Sequence, residues 1–438
     1  MRYLHLIITS ALIGSLALLA ACSSTNEAYL QPSDQALGAP AAGTSFDAYQ
    51  ADAHQRIKTA LAAAPSPKGF LGDYDVAAAS NLRAPYELAP VAACQQTEPE
   101  ANELKGAGKG FLLVHGLTDS PYTLRNVADD LHQAYPCALI RSIILPGHGT
   151  APGDTLKMTH EQWRTAVRYG INSFSAQLNQ DLYLVGFSTG TSLIIDYLNH
   201  PNPDPRISGV VLLSAAVQPK SSMAFLAPIL RHLKSWLSVE QERDATRYES
   251  FSFNAGAEFY RLTKDMKQPS KALTVPMLMA VSADDTTISA AAAREFFCYS
   301  EQNSRNLLVW YESADEDLNT RQAAQPELQC NGILAVSPDS FDSRWQTLNV
   351  AHTGVSNSPD DSHYGFAGHY HNCRSYKDPK EFEQCQSDTA NSLYGEDKAL
   401  LKKQNLLGER YFRRGTFNPD YDHLISRIIC FADKQCEW

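Results

Sequence analysis

From residue 110 onward the chain alternates short apolar runs with longer amphipathic stretches, and no other feature limits its fold so severely. The runs FLLV (111–114), ALIRSIIL (138–145), LYLV (182–185), GVVLL (209–213) and MLMAV (277–281) are almost wholly apolar, as strands buried on both faces must be. Between them, THEQWRTAVRYGINSFSAQL opens with a capping pair, Thr159 and Gln162. It carries Trp163, Val167, Ile171 and Phe174 at helical spacing. Strand and helix in alternation predict a mostly parallel sheet with helices on both faces, in which ligands gather at the carboxyl ends of the strands. A chain of 438 residues, 44% hydrophobic and 19% charged, can bury such a core. Its net charge of −11 argues against nucleic acid as a partner and against adhesion to anionic lipid by charge alone.

The N-terminus has a different character. Residues 1–21 place Arg2 before a mostly apolar run from Leu4 to Ala21, which reads as a secretory signal; a permanent transmembrane helix would want better flanking charge. The final LAAC, Leu19 to Cys22, resembles the lipobox of bacterial lipoproteins. That resemblance implies that Cys22 is lipidated, becomes the mature N-terminus and anchors the protein in the bacterial cell envelope. Ser23 and Ser24 follow with no aspartate, which by the rule of that family points to the outer membrane. Residues 22–50 are rich in Ser, Ala, Gly, Pro and Gln without a period and read as a flexible tether, leaving 51–438 as the folded domain. With Cys22 committed to lipid, Cys94, Cys137, Cys298, Cys330, Cys373, Cys385, Cys430 and Cys436 remain, an even set suited to four disulfides in an oxidising compartment. Short loops favour Cys373 with Cys385 and Cys430 with Cys436; the pairing of the other four stays open.

GFSTG, residues 186–190, interrupts the strand at 182–185 and a following helical pattern of Leu193, Ile194, Tyr197 and Leu198. A strand that reverses tightly into a helix crowds its neighbours, so Gly186 and Gly190 flank Ser188 where a Cβ would not fit. The turn exposes the serine hydroxyl at a helix N-terminus, where N–H groups and the dipole favour developing negative charge. Glycines at a strand-to-helix turn are also common punctuation, so the context of strand and helix carries the reading.

FLLVHGLTDSPYTLRNVADDL (111–131) and the serine turn together closely resemble the α/β-hydrolase family, in particular its monoacylglycerol lipase and small carboxylesterase branch. The resemblance spans residues 110–352 and leaves the tail to 438 without a diagnostic motif. It implies an α/β-hydrolase fold with a helical lid, and an oxyanion hole made by the N–H groups of Leu117 and Thr189. His115 and His148, in LPGHGT, then buttress loops. The family order of nucleophile, acid and histidine sends the acid to SADDTTIS, where Asp285 is favoured over Asp284; the loser would cap the next helix. For the base, LLVWYES (307–313) has no histidine after it for nearly forty residues. Residues 314–344 are therefore read as an insertion, and WQTLNVAHTGV as a strand delivering His352 at its end. His363, His369 and His371 are its rivals; with Cys373 they could instead bind metal, and a disulfide-stapled loop is the plainer reading.

Residues 218–272 stand where the family places its lid. MAFLAPILRHLKSWL sets Phe225, Ile229, Leu233 and Leu237 at steps of four, an amphipathic helix that would line an acyl pocket or simply pack. The last helix, in DYDHLISRIICF, puts Tyr421, Leu424, Ile425 and Ile428 on one side to close the sheet. The expected activity is hydrolysis of carboxylic esters by Ser188, His352 and Asp285 through an acyl-enzyme, on a small-molecule or lipid ester, with no metal or cofactor. A serine aminopeptidase, an acyltransferase or a non-catalytic envelope binding lipoprotein are the alternatives.

Overall fold

The computed structural model describes residues 28–63, 74–95, 106–175, 178, 181–266, 273–300, 303–399 and 406–436. The signal segment and Cys22 lie outside the described residues. The strands are β1 (Tyr86–Leu88), β2 (Gly110–Val114), β3 (Leu139–Ile143), β4 (Leu182–Phe187), β5 (Ile207–Leu213) and β6 (Trp236–Ser238). They continue with β7 (Phe251–Ser252), β8 (Met277–Ser282), β9 (Leu307–Tyr311), β10 (Ile333–Val336), β11 (Ser392–Gly395) and β12 (Tyr411–Arg414). One eight-stranded sheet runs β1-β3-β2-β4-β5-β8-β9-β10, parallel throughout except where β1 lies antiparallel to β3.

Side chains alternate across this sheet, which is why its central strands must be apolar at every position. β2 sends Leu112 and Val114 to one face and Phe111 and Leu113 to the other; β4 separates Leu184 from Tyr183 and Val185 in the same way. Helices Phe46–Ala63, His160–Asn172, Thr189–Leu198, Phe253–Asp265 and Ala290–Tyr299 cover the first face. Arg125–Ala134 and Tyr421–Ala432 cover the second, the latter burying Tyr421, Leu424, Ile425 and Ile428 as expected. Thr159 and Gln162 form a reciprocal capping box at the start of His160–Asn172. Four disulfides join Cys94 to Cys137, Cys298 to Cys330, Cys373 to Cys385 and Cys430 to Cys436.

Three expectations need correction. Residues 28–50 are not a tether. Leu30, Leu37, Phe46 and Tyr49 are buried, Ser33 N–H donates to Asp154 Oδ1 at 2.6 Å, and the carbonyl of Leu37 accepts from Gly147 N–H at 3.0 Å. So few anchors, widely spaced among small residues, leave no period to read. Within 218–272 the long amphipathic helix is replaced by a 3-10 turn (Ala224–Leu226), one α-turn (Ala227–Leu230), the antiparallel pair β6 and β7, and helix Phe253–Asp265. Pro228 explains the break: it has no N–H to donate and its ring would strike the carbonyl four residues back, so it fits only a first helical turn. The stripe of Phe225, Ile229 and Leu233 is accordingly 51, 60 and 79% exposed. Residues 314–344, read as an insertion, extend the sheet itself. They supply helix Glu316–Ala323 and β10, which pairs with β9 and adds one crossover unit at the edge. Finally, His352 lies in a run of turns rather than at a strand end.

Candidate active site

The chain leaves β4 at Phe187 and enters helix Thr189–Leu198 through Ser188, whose backbone sits at φ 49°, ψ −118°. A side chain is strained there, and the surroundings over-determine the turn. A Cβ on Gly190 would lie 2.0 Å from the carbonyl oxygen of Val114, and one on Gly186 would lie 2.8 Å from the nitrogen of Thr191. Both glycines are thus fixed by close approach of backbone, and the serine between them is lifted clear of the sheet.

The structure brings Ser188, His352 and Asp285 together. His352 Nε2 is 3.0 Å from Ser188 Oγ, and its Nδ1 is 2.6 Å from Asp285 Oδ2. With Nδ1–H donated to the carboxylate, Nε2 is left to accept the serine proton. Asp285 is fully buried, and its Oδ1 accepts the N–H groups of Thr287 and Ile288 at 2.7 and 2.8 Å, so neither oxygen is free to swing away. Asp284 turns elsewhere, accepting from Ser313 Oγ and from Asn349 Nδ2 at 2.6 Å. It does not cap the next helix; Ser289 does, accepting from Ala292 N–H.

Leu117 and Thr189 line the same cavity as Ser188. Among the described residues neither backbone N–H finds an intramolecular acceptor, which leaves both donors for a ligand. The loop that carries Leu117 is held from three sides. Thr118 adopts φ 65°, its N–H donates to His148 Nε2 at 3.0 Å, and its carbonyl accepts from Tyr248 N–H at 2.8 Å. His115 donates from Nδ1 to the carbonyl of Gly116 at 2.8 Å and accepts from Leu145 N–H at 2.9 Å. Burial holds His148 down at about 4 and His115 well below the ordinary histidine range, so both rings are neutral braces.

The rival histidines lie apart from Ser188. His363 Nε2 is 2.9 Å from the buried Asp244 Oδ1, the His369 ring packs edge-on against Tyr74, and His371 is buried, which pushes it down to about 3. Cys373 is bridged to Cys385, so its sulfur is not a metal ligand.

The thermostable monoacylglycerol lipase of a Bacillus species is 30% identical to this chain over 194 residues, which span 43% of this chain and 75% of the relative. The chain belongs to the α/β-hydrolase family, in its monoacylglycerol lipase and esterase branch. Residues 108–314 of the hydrolase match the family model described as serine aminopeptidase, S33. Among solved structures, a monoacylglycerol lipase from Paleococcus ferrophilus is 20% identical, with 48% of this chain and 86% of that one covered at a TM-score of 0.39. A soluble variant of the Saccharomyces cerevisiae monoglyceride lipase is 13% identical, with 54 and 87% covered at 0.40.

Sequence reasoning missed one residue of the hydrolase's site. Glu396, fully buried, accepts from His352 N–H at 3.1 Å and from Thr286 N–H at 3.0 Å, so a single carboxylate ties the histidine loop to the residue after the acid. Arg414 donates to both of its oxygens, at 3.1 and 2.7 Å. No local pattern marks Glu396; it lies 44 residues beyond His352 in a tail without motifs.

Above the hydrolase's serine opens a cavity of about 540 Å³. Phe187, Leu226, Leu230, Phe251, Phe259 and Ile288 give it an apolar wall, while Arg247, Glu249, Arg374 and Arg414 also reach it. Burial, reinforced by the charge of Asp244, pushes the Glu249 carboxyl up to about 7.

Proposed function

We propose that this α/β-hydrolase cleaves carboxylic esters of lipids through an acyl-enzyme. The hydrogen-bonded line from Ser188 through His352 to Asp285, at the floor of an apolar cavity, carries the reading. Ser188 Oγ attacks the acyl carbon as His352 Nε2 takes its proton, and the carbonyl oxygen becomes an oxyanion facing the N–H groups of Leu117 and Thr189. Each such donor is worth about 2.7–4 kcal/mol. The imidazolium returns its proton to the departing alcohol. Water, deprotonated by the same nitrogen, then attacks the acyl-serine and releases the acid and the free enzyme. Asp285 fixes the tautomer and balances the imidazolium. The apolar wall suits a hydrocarbon acyl chain better than the charged amine an aminopeptidase would bind.

A fluorophosphonate should label the wild type and spare Ser188→Ala. On a panel of esters, Ser188→Ala and His352→Ala should each lose roughly 10⁶-fold in kcat and Asp285→Asn roughly 10⁴-fold. Asp284→Asn, whose carboxylate touches neither serine nor histidine, should cost far less. An aminoacyl anilide turned over faster than every ester would overturn the ester reading. The proposal also includes a lipid anchor on Cys22 at the outer membrane, supported by LAAC and the serines after it; if Cys22→Ser stays in the membrane fraction, that part is wrong.

A further inference from the structure

Three arginines from three separate segments reach the cavity beside Ser188: Arg247 from the lid, Arg374 next to the bridged Cys373, and Arg414 at the end of β12. A purely hydrocarbon substrate gives them nothing to do, and Arg247 stands near enough to Arg414 for their charges to repel. Their neutralisation is unequal. Arg414 is committed, with Nε and Nη2 on the two oxygens of Glu396 and Nη2 also 2.9 Å from Thr287 Oγ1. Arg374 has a carboxylate, Glu240, at 3.5 Å, and Arg247 has Asp119 at 3.5 Å from its Nε. Well-formed pairs of this kind close to about 2.7–2.9 Å.

Arg247 is the telling case. A guanidinium carries five N–H donors, yet among the described residues that of Arg247 makes the one loose ion pair and no hydrogen bond. Its backbone, in contrast, is fixed against the catalytic loop, because the next residue, Tyr248, donates its N–H to Thr118. The donors therefore stand in the wall of the cavity that Ser188 also lines, and are unspent. Two carboxyls, Asp119 and Glu249, line the cavity with it, and burial pushes both up; the charges of Asp119 and of the nearby Asp244 keep the guanidinium protonated.

We infer that Arg247, assisted by Arg374, forms an anion subsite for the alcohol part of the substrate, so that the favoured ester joins a hydrocarbon acyl chain to an alcohol bearing a phosphate or a carboxylate. This rests on the ester-hydrolase reading and deepens it. The apolar wall of Leu226, Leu230, Phe251 and Phe259 takes the acyl chain, which leaves the arginines to face what lies across the ester bond. A guanidinium fork matches two oxygens of either anion.

The test compares glycerol esters with one short acyl chain, kept below their micellar concentration: neutral monoacylglycerol, its phosphate, and the corresponding glycerate. Wild type should prefer at least one anionic ester over the neutral one by about tenfold or more in kcat/KM, and the two anionic arms tell phosphate from carboxylate. Arg247→Gln should reduce the ratio of anionic to neutral kcat/KM by about 10-fold to 100-fold, with Arg247→Lys between, since lysine keeps the charge and loses the fork. A ratio unchanged in Arg247→Gln refutes the subsite and makes Arg247 merely the counter-ion of Asp119. Where that variant does not fold, Arg374→Gln reads the same ratio, and no change there refutes it equally. Calorimetric binding of the same esters to Ser188→Ala separates the two readings. Tighter binding of the anionic ester by a protein whose wild type turns over none of them sinks the hydrolase reading and upholds the subsite. Turnover of neutral ester with no binding contrast does the reverse.

Discussion

Glu396→Gln isolates the positioning of the proposed triad from its chemistry. The carboxylate receives N–H groups from Thr286 and His352 and the guanidinium of Arg414, so it fixes the separation between the acid turn and the histidine loop. An amide of the same size offers one oxygen and one NH₂. Whichever way it turns, one loop then meets a donor where it had an acceptor. Breaking a buried ion pair by removing one partner costs about 3–5 kcal/mol. The Arg414 side chain is 26% exposed, and water recovers part of the loss, so about 2–3 kcal/mol is the expected destabilisation. The kinetic effect comes from geometry: displacing a catalytic group by roughly 1 Å costs up to about 10²-fold.

The expected outcome is a kcat lowered about 10-fold to 100-fold on a short soluble ester, with KM changed far less, and a matching fall in the rate of fluorophosphonate labelling. Urea unfolding measured beside the kinetics supplies the stability change. Glu396→Asp keeps the charge but is one methylene too short to reach both loops, so it should recover stability more fully than kcat. A Glu396→Gln protein destabilised by the stated amount, yet normal in kcat and labelling, would refute the reasoning and leave Glu396 a packing residue.

Two further predictions follow from the cavity. Leu226→Ala and Leu230→Ala, which enlarge its apolar wall, should shift acyl chain-length preference toward longer or bulkier chains, whereas Leu233→Ala, on the exposed stripe, should not; a profile moved equally by all three counts against the lid assignment. The raised Glu249 carboxyl makes folding pH-dependent: the folded chain keeps a proton that the unfolded chain releases near 4.5, so stability present below that pH is lost as pH rises to about 7. Glu249→Gln should abolish that slope, a relative gain of up to about 3 kcal/mol at pH 8 in urea unfolding, and an identical slope in variant and wild type would exclude the assignment.

What could be read from residue order divides along physical lines. The central strands were legible because burial on both faces demands apolar residues at every position, as in FLLV and LYLV. The serine turn was legible because two backbone clashes, at Gly186 and Gly190, each require a missing Cβ. Asp285 and Asp284 could not be separated by order alone, since only the packed turn decides which carboxylate meets His352. Chain order points to His352, which the structure sets beside Ser188, but no strand carries it, and β10 hides behind the polar helix Glu316–Ala323. In residues 218–272, the stripe at steps of four outweighs Pro228 in a reading by pattern, although one missing N–H and one ring clash are enough to end the helix. Glu396 acts through His352, 44 residues away, beyond the reach of any local pattern.

The N-terminal strap has a mechanical consequence. Ser33 grips Asp154, Asp154 belongs to the turn Pro152–Leu156, and Thr155 of that turn meets Ser252 at the end of β7, 2.9 Å between hydroxyls. A pull on the strap at Ser33 is thus delivered to β7 and helix Phe253–Asp265, which meet the cavity at Phe251, Phe253 and Phe259.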